Sequence, residues 1–156
     1  MKISLLVVSL MVLAGCAETL DVTSYRSLTY SRERFEKRGA VFVLTDSKTA
    51  DAGPREEDLA DTRVVEDAFK QKGFSTSEHA GGADYIFTFT SLMKPSGEAI
   101  GLSVKGTFYE LSTEGNPGRV FWDGRVAGEV KPDEWRERRR EFLKAMLKKF
   151  PGEARF

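Results

Sequence analysis

The feature that most restricts the fold of this chain is a regular alternation between residues 100 and 130. Ile100, Leu102, Val104 and Phe108 fall on one parity, and Ser103, Lys105 and Thr107 on the other. After Glu114-Gly115-Asn116-Pro117-Gly118, a strong turn signal, Val120, Trp122, Val126 and Val130 repeat the pattern opposite Asp123, Arg125 and Glu129. Successive side chains of a strand point to opposite faces, so this pattern describes two antiparallel strands with one face packed and the other largely solvated. For both apolar sets to share a face, paired residue numbers must add to an even total, because a one-residue slip inverts the face. Tyr109, Leu111 and Phe121 break the polar side and are expected to form a partly apolar patch on the open face. That patch reads either as cross-strand packing of edge aromatics or as a candidate partner surface.

The rest of the chain supplies partners for that sheet. Ala40-Val41-Phe42-Val43-Leu44-Thr45 is a continuous β-branched and aromatic run, the pattern of a buried strand. Residues 85–90 predict another strand, with Lys94-Pro95-Ser96-Gly97 turning into the strand from 100 to 111. Residues 25–30 alternate as an edge strand would, and residues 74–79 suit a short strand before the turn Ala80-Gly81-Gly82. Residues 55–72 predict a helix: Leu59, Val64, Val65, Ala68 and Phe69 recur near helical spacing. Acidic Glu56, Glu57 and Asp58 lie in its first turns and Lys70 and Lys72 in its last, an order that suits the helix dipole, and Gly73 is placed to cap it. Residues 133–150 predict a second helix between Pro132 and Pro151-Gly152, with Trp135, Phe142, Leu143, Met146, Leu147 and Phe150 in one stripe. The expected fold is α/β: a two-layer sandwich, with a mixed sheet of about five strands containing a three-strand antiparallel meander, and two helices on one face.

The amino terminus carries an address. Lys2 precedes an apolar run from Ile3 to Leu13, followed by small residues, which is the layout of a secretory signal. The run is too short to span a bilayer, which takes roughly 20 residues. Leu13-Ala14-Gly15-Cys16 matches the lipobox of bacterial lipoproteins. That resemblance implies cleavage before Cys16, a diacylglyceryl group on its sulfur and acylation of the new amino terminus. A thiol suits this chemistry because it is nucleophilic near neutral pH. The alternative is an ordinary secretory signal cut after Ala17, with a free cysteine. Ala17, in place of Asp, implies by resemblance to sorted lipoproteins a lipid-anchored site at the outer membrane, facing the periplasm. The domain plan is then a signal peptide over residues 1–15, a lipidated tether over 16–24 reaching roughly 25 Å, and a single domain over 25–156.

Composition excludes several function classes. The chain has 24 basic and 24 acidic residues, and loss of Lys2 with the leader leaves the mature form with one net negative charge. This gives no electrostatic case for nucleic acid. Cys16 is the only cysteine, so once it is lipidated no disulfide or thiolate metal site can form. His79 is the only histidine. Glu78 beside it would point to the other face of a strand, and one histidine with scattered carboxylates is poor material for zinc. Gly81-Gly82 and the segment from Gly124 to Gly128 open no helix and lack a following Lys-Ser/Thr, so they are not phosphate loops. Arg136, Arg140, Lys144 and Lys148 recur every four residues. Interleaved with Glu134, Glu137 and Glu141, they read as a solvated helix face, the alternative being a stripe facing anionic headgroups or an acidic partner.

Taken in order, the lipobox, the stretch around Tyr25 to Tyr30, Lys72-Gly73-Phe74, Ala83-Asp84-Tyr85-Ile86, Trp122-Asp123-Gly124 and Phe150-Pro151 at the end of an amphipathic helix resemble the small bacterial lipoproteins of the domain-of-unknown-function 4136 family. The resemblance runs best from Val64 to Pro151. It implies an outer-membrane lipoprotein with an α/β fold and no established activity. The expectation is therefore a membrane-anchored envelope lipoprotein with a non-enzymatic binding or scaffolding role, needing no cofactor. Its lipid attachment is Cys16, its partners are the membrane and an envelope protein or glycan, and no catalytic or metal residue is assigned. One alternative is a carrier of a small ligand or lipid, held in a groove near Trp122 and Trp135. The other is a hydrolase-like enzyme resting on His79.

Overall fold

A computed structural model describes residues 21–26, 39–45, 56–112 and 117–151. They form strands β1 (Asp21–Arg26) and β2 (Ala40–Thr45), helix α1 (Glu56–Gln71) and strands β3 (Ser75–Ser77), β4 (Tyr85–Ser96), β5 (Ala99–Leu111) and β6 (Pro117–Val130), followed by helix α2 (Trp135–Lys148). The strands make one six-stranded sheet in the order β1-β6-β5-β4-β2-β3. β4, β5 and β6 are the antiparallel meander. β2 runs parallel to both β3 and β4, so the sheet is mixed, and α1 supplies the crossover that a parallel β2–β3 pair requires. Both helices pack on the face carrying Val43, Phe87, Phe108 and Trp122. The expected two-layer α/β architecture is the one observed.

Two boundaries differ from the sequence reading. β1 begins at Asp21, so residues 21–24, read as tether, pair with β6 from Asp21–Ala127 to Ser24–Gly124. Residues 27–30, read as part of the same strand, lie outside the described residues, as does Cys16. β4 runs through Lys94-Pro95-Ser96, and the hairpin turns at Gly97, which takes a positive φ of 61°. Pro95 is tolerated because, among the described residues, β2 ends opposite Phe89 and the outer edge of β4 has no strand partner beyond that point.

The core is an aromatic cluster. Phe69 of α1 lies 5.4 Å from Phe108 and 5.1 Å from both Phe87 and Phe150. Phe150 also meets Phe108 at 4.9 Å and Trp122 at 5.1 Å, both edge-on. Each such ring, fully buried, contributes about 1.5–3 kcal/mol by removal from water. The termini of α1 and α2 are tied to this cluster. Gly73, at φ 85°, closes α1: its N–H donates to the Lys70 carbonyl, and the Phe74 N–H donates to the Phe69 carbonyl. This paired capping pattern brings Phe74 against Phe69 at 5.6 Å. The Lys72 ammonium donates to the Phe150 carbonyl at 3.0 Å, joining the ends of the two helices.

Two glycines let α2 approach. Gly106 and Gly124 are cross-strand partners on the packed face. A Cβ at Gly106 would lie 2.7 Å from Met146 Cε, and one at Gly124 would lie 2.9 Å from Met146 Cγ and inside the Trp122 ring. Gly124→Ala is therefore expected to cost about 2 kcal/mol through overpacking. The check is urea unfolding followed by Trp122 fluorescence, with the midpoint falling and the slope unchanged.

Candidate functional site

The register tests the candidate surface directly. From Ile100–Val130 to Phe108–Trp122 every β5–β6 pair adds to an even total, as expected, but Tyr109 then pairs with Val120. One extra residue, Phe121, is inserted into β6. A bulge of this kind changes the parity beyond it, until a second irregularity between Tyr109 and Leu111 restores an even total at Leu111–Pro117. Phe121 consequently turns into the core, where it is 1% exposed and lies 6.1 Å from Tyr85. This corrects its assignment to the open face. Val120, expected in the core, takes its place as the cross-strand neighbour of Tyr109. Tyr109 and Leu111 remain on the open face, half-buried.

The same register extends the patch. Tyr109 pairs with Ile86, and Ile86 with Phe42, so Phe42, Ile86, Tyr109 and Val120 form one row across four strands. Ile86 is 6% exposed although it is no part of the core cluster. The sequence signal for this row was the apolar run of β2 and of Tyr85-Ile86-Phe87 at the start of β4, which marks strands apolar on both faces. The next row, Leu44–Thr88–Thr107–Asp123, is more polar.

A second site was missed by sequence reasoning. Asp58 and Asp61, 6% and 1% exposed, continue the buried stripe of Val65 and Phe69 on α1. Arg139 of α2 pairs with Asp61 and lies 3.7 Å from Asp58, while Arg140 Nε donates to Asp61 Oδ1 at 3.1 Å. Leu59, expected inside, is 44% exposed, because the phase of the helix is set by Asp58, Asp61, Val65 and Phe69. The spacing 58, 61, 65, 69 was visible, but carboxylates on a buried face become legible only once their cations are placed. The two arginines balance the two aspartates, so this is an interhelical clamp. Arg140 is thereby withdrawn from the expected basic stripe. Lys144 and Lys148 stay exposed, beside a groove of about 680 Å³ along the α1–α2 seam that Lys72 and Asp67 also line.

The remaining candidates lie apart. His79 is exposed in the turn between β3 and β4. Its N–H donates to Ser77 Oγ at 3.3 Å, and its carbonyl accepts from the same hydroxyl at 2.7 Å. The groove expected near Trp122 and Trp135 is filled. Trp122 is 1% exposed, and the Trp135 ring lies under Arg136 and Arg139 at 4.9 and 5.6 Å. Among the described residues, no helix is long and apolar enough to cross a membrane, and no three His, Cys, Asp or Glu residues are grouped to hold a metal ion.

The topology defines a class, two-layer α/β sandwiches whose mixed sheet is covered by two helices on one side, and three solved structures share it. A PDZ domain protein from Parabacteroides distasonis superimposes with a TM-score of 0.58 at 11% identity, over 89% of this chain and 37% of that one. A protein of the domain-of-unknown-function 4136 family from Bacteroides thetaiotaomicron gives 0.55 at 10% identity, over 84% of this chain and 94% of its own. The PelC dodecamer from Paraburkholderia phytofirmans gives 0.50 at 12% identity, over 83% and 95%. At these identities the likeness concerns the fold. No protein-family model and no curated protein matches the sequence.

Two substitutions separate packing from surface. Phe121→Ala is expected to cost about 3–5 kcal/mol, as for a buried aromatic, and Tyr109→Ala clearly less, measured by chemical denaturation. Asp61→Ala, which leaves Arg139 only Asp58 at 3.7 Å and removes the acceptor of Arg140, is expected to cost about 3 kcal/mol. Glu141→Ala on the solvated side of α2 should stay within about 0.5 kcal/mol.

Proposed function

We propose that this chain is a lipoprotein of the bacterial envelope, held at the outer membrane by acyl chains on Cys16 and acting by binding or scaffolding without catalysis. The observation that carries this reading is Leu13-Ala14-Gly15-Cys16 at the end of a short apolar leader, with the sheet beginning at Asp21. Cleavage before Cys16 leaves every described strand and helix in the mature chain. One acyl chain gives marginal, reversible binding at about 0.8 kcal/mol per buried methylene, so two or three make release slow. The shared fold with a domain-of-unknown-function 4136 protein supports membership of that family. Support for a binding role comes from Tyr109 and Leu111, half-buried on the open face. Support for the absence of catalysis comes from the isolation of His79 on an exposed turn.

Protein purified from cells is expected to show, by intact mass, an amino terminus at Cys16 carrying diacylglyceryl and an acyl chain. Cys16→Ser should abolish both the modification and the cleavage. An unmodified protein found wholly in the soluble fraction would overturn the reading. For the binding role, a photoreactive residue at Tyr109 should give a discrete adduct in intact cells and one at Arg63, on the exposed side of α1, should not. Equal labelling from both positions removes the open face as the contact.

A further inference from the structure

The two helices run in the same direction across the sheet. Their amino-terminal halves are joined where Arg139 and Arg140 meet Asp58 and Asp61, and their carboxyl ends where the Lys72 ammonium meets the Phe150 carbonyl. Between these two ties lies the groove of about 680 Å³. Leu147, 1% exposed, floors it together with half-buried Val64 and Ala68. Its rim is polar and exposed, with Lys144 and Lys148 on α2 and Asp67 on α1.

Arg140, Lys144 and Lys148 follow one another at four-residue intervals along the edge of α2 that faces α1. Helix α1 answers only the first of them, through Asp61. Further along, it presents Val64 and Ala68 to the groove. Among the described residues, no carboxylate comes within ion-pairing distance of Lys144 or Lys148. Asp67 shares the groove without closing on either lysine, and Glu141 is held by Arg138 at 2.8 Å. The helix dipole accounts for Lys148, in the last turn of α2. Its favour for cations fades within that turn, and Lys144 lies before it. The charge seam between the helices is therefore half complete. At one end arginines face carboxylates, and at the other lysines flank an apolar floor with no anion to meet them.

We propose that an acidic amphipathic helix of a partner protein lies in this groove and completes the seam. Its apolar face covers Val64, Ala68 and Leu147. Its carboxylates, spaced four residues apart, meet Lys144 and Lys148, which stand about 6 Å apart along α2. The contact of Asp58 and Asp61 with Arg139 and Arg140 is the internal version of that pairing. A helix suits the site because an apolar stripe laid on two packed helices is buried in the groove between them. A flat anionic bilayer would meet the ammonium groups and leave the floor uncovered. The groove lies in the helical layer, on the other side of the sheet from the Tyr109 row, and the inference does not depend on the anchor at Cys16.

The test uses the protein purified from cells in detergent micelles. The probe is a fluorescein-labelled helical peptide with Leu and Ala on one face and Glu at four-residue spacing beside it, and the control peptide carries Gln for each Glu. Fluorescence anisotropy is expected to show the Glu peptide binding about tenfold more tightly than the Gln peptide, with the difference shrinking as salt is added. Lys144→Gln/Lys148→Gln should remove the preference while circular dichroism shows the fold retained. Lys144→Glu/Lys148→Glu should turn the preference toward a peptide with Lys in place of Glu. A photoreactive residue at Gln71, exposed on the groove, should crosslink the Glu peptide, and one at Arg63 should not. Absence of binding, equal affinity for the Glu and Gln peptides, a preference that survives both lysine variants, or equal crosslinking from Gln71 and Arg63 each overturns the proposal. A Gln71 crosslink to phosphatidylglycerol vesicles that the peptide does not displace makes the occupant a lipid surface and overturns it as well.

Discussion

The structure depends on the contact of three rings, Phe69 from α1, Phe108 from β5 and Phe150 just beyond α2. They meet at 4.9 to 5.4 Å and bring both helices and the centre of the sheet to one point. Each ring comes from a segment that could not bury its apolar face alone. Trp122, Phe87 and Phe74 then close around them. Offset and edge-on geometry adds direction to what area burial alone leaves unspecified, and this fixes where α2 sits. Once it sits there, Met146 lies over Gly106 and Gly124, and Arg139 comes to Asp58 and Asp61.

That arrangement explains short motifs that are unspecific one at a time. Lys72-Gly73-Phe74 ends α1 and turns Phe74 back onto Phe69, while the Lys72 side chain holds the Phe150 carbonyl. In Ala83-Asp84-Tyr85-Ile86, the Asp84 carboxylate accepts from the Ala40 N–H at 2.8 Å, and the Asp84 N–H donates to the Ala40 carbonyl, locking β2 to β4 at their start. Tyr85 then enters the core as Ile86 enters the opposite face. Phe150-Pro151 places the last ring and leaves the helix. These are structural duties, and they account for the order of the motifs.

The two faces of the sheet have become different in kind. One is closed by helices and aromatic rings. The other carries an apolar row at one end, a polar middle, and at the far end exposed Leu92. The bulge at Phe121 sharpens this division by removing a large ring from the open face and placing Val120 there.

Local sequence determined the helices and the meander, because periodicity, turn residues and capping glycines act within a few residues of one another. Alternation also set the β5–β6 register, since only an even pairing keeps Val104 and Val126 on one face. Tertiary structure alone decided the direction of Phe121, the burial of Asp58 and Asp61, and the exposure of Leu59. A bulge is an event between two strands, and a buried carboxylate is tolerated only when a distant arginine meets it. Neither can be read from neighbours along the chain. Strand order likewise brings residues 21 and 92 into one row although the chain separates them widely.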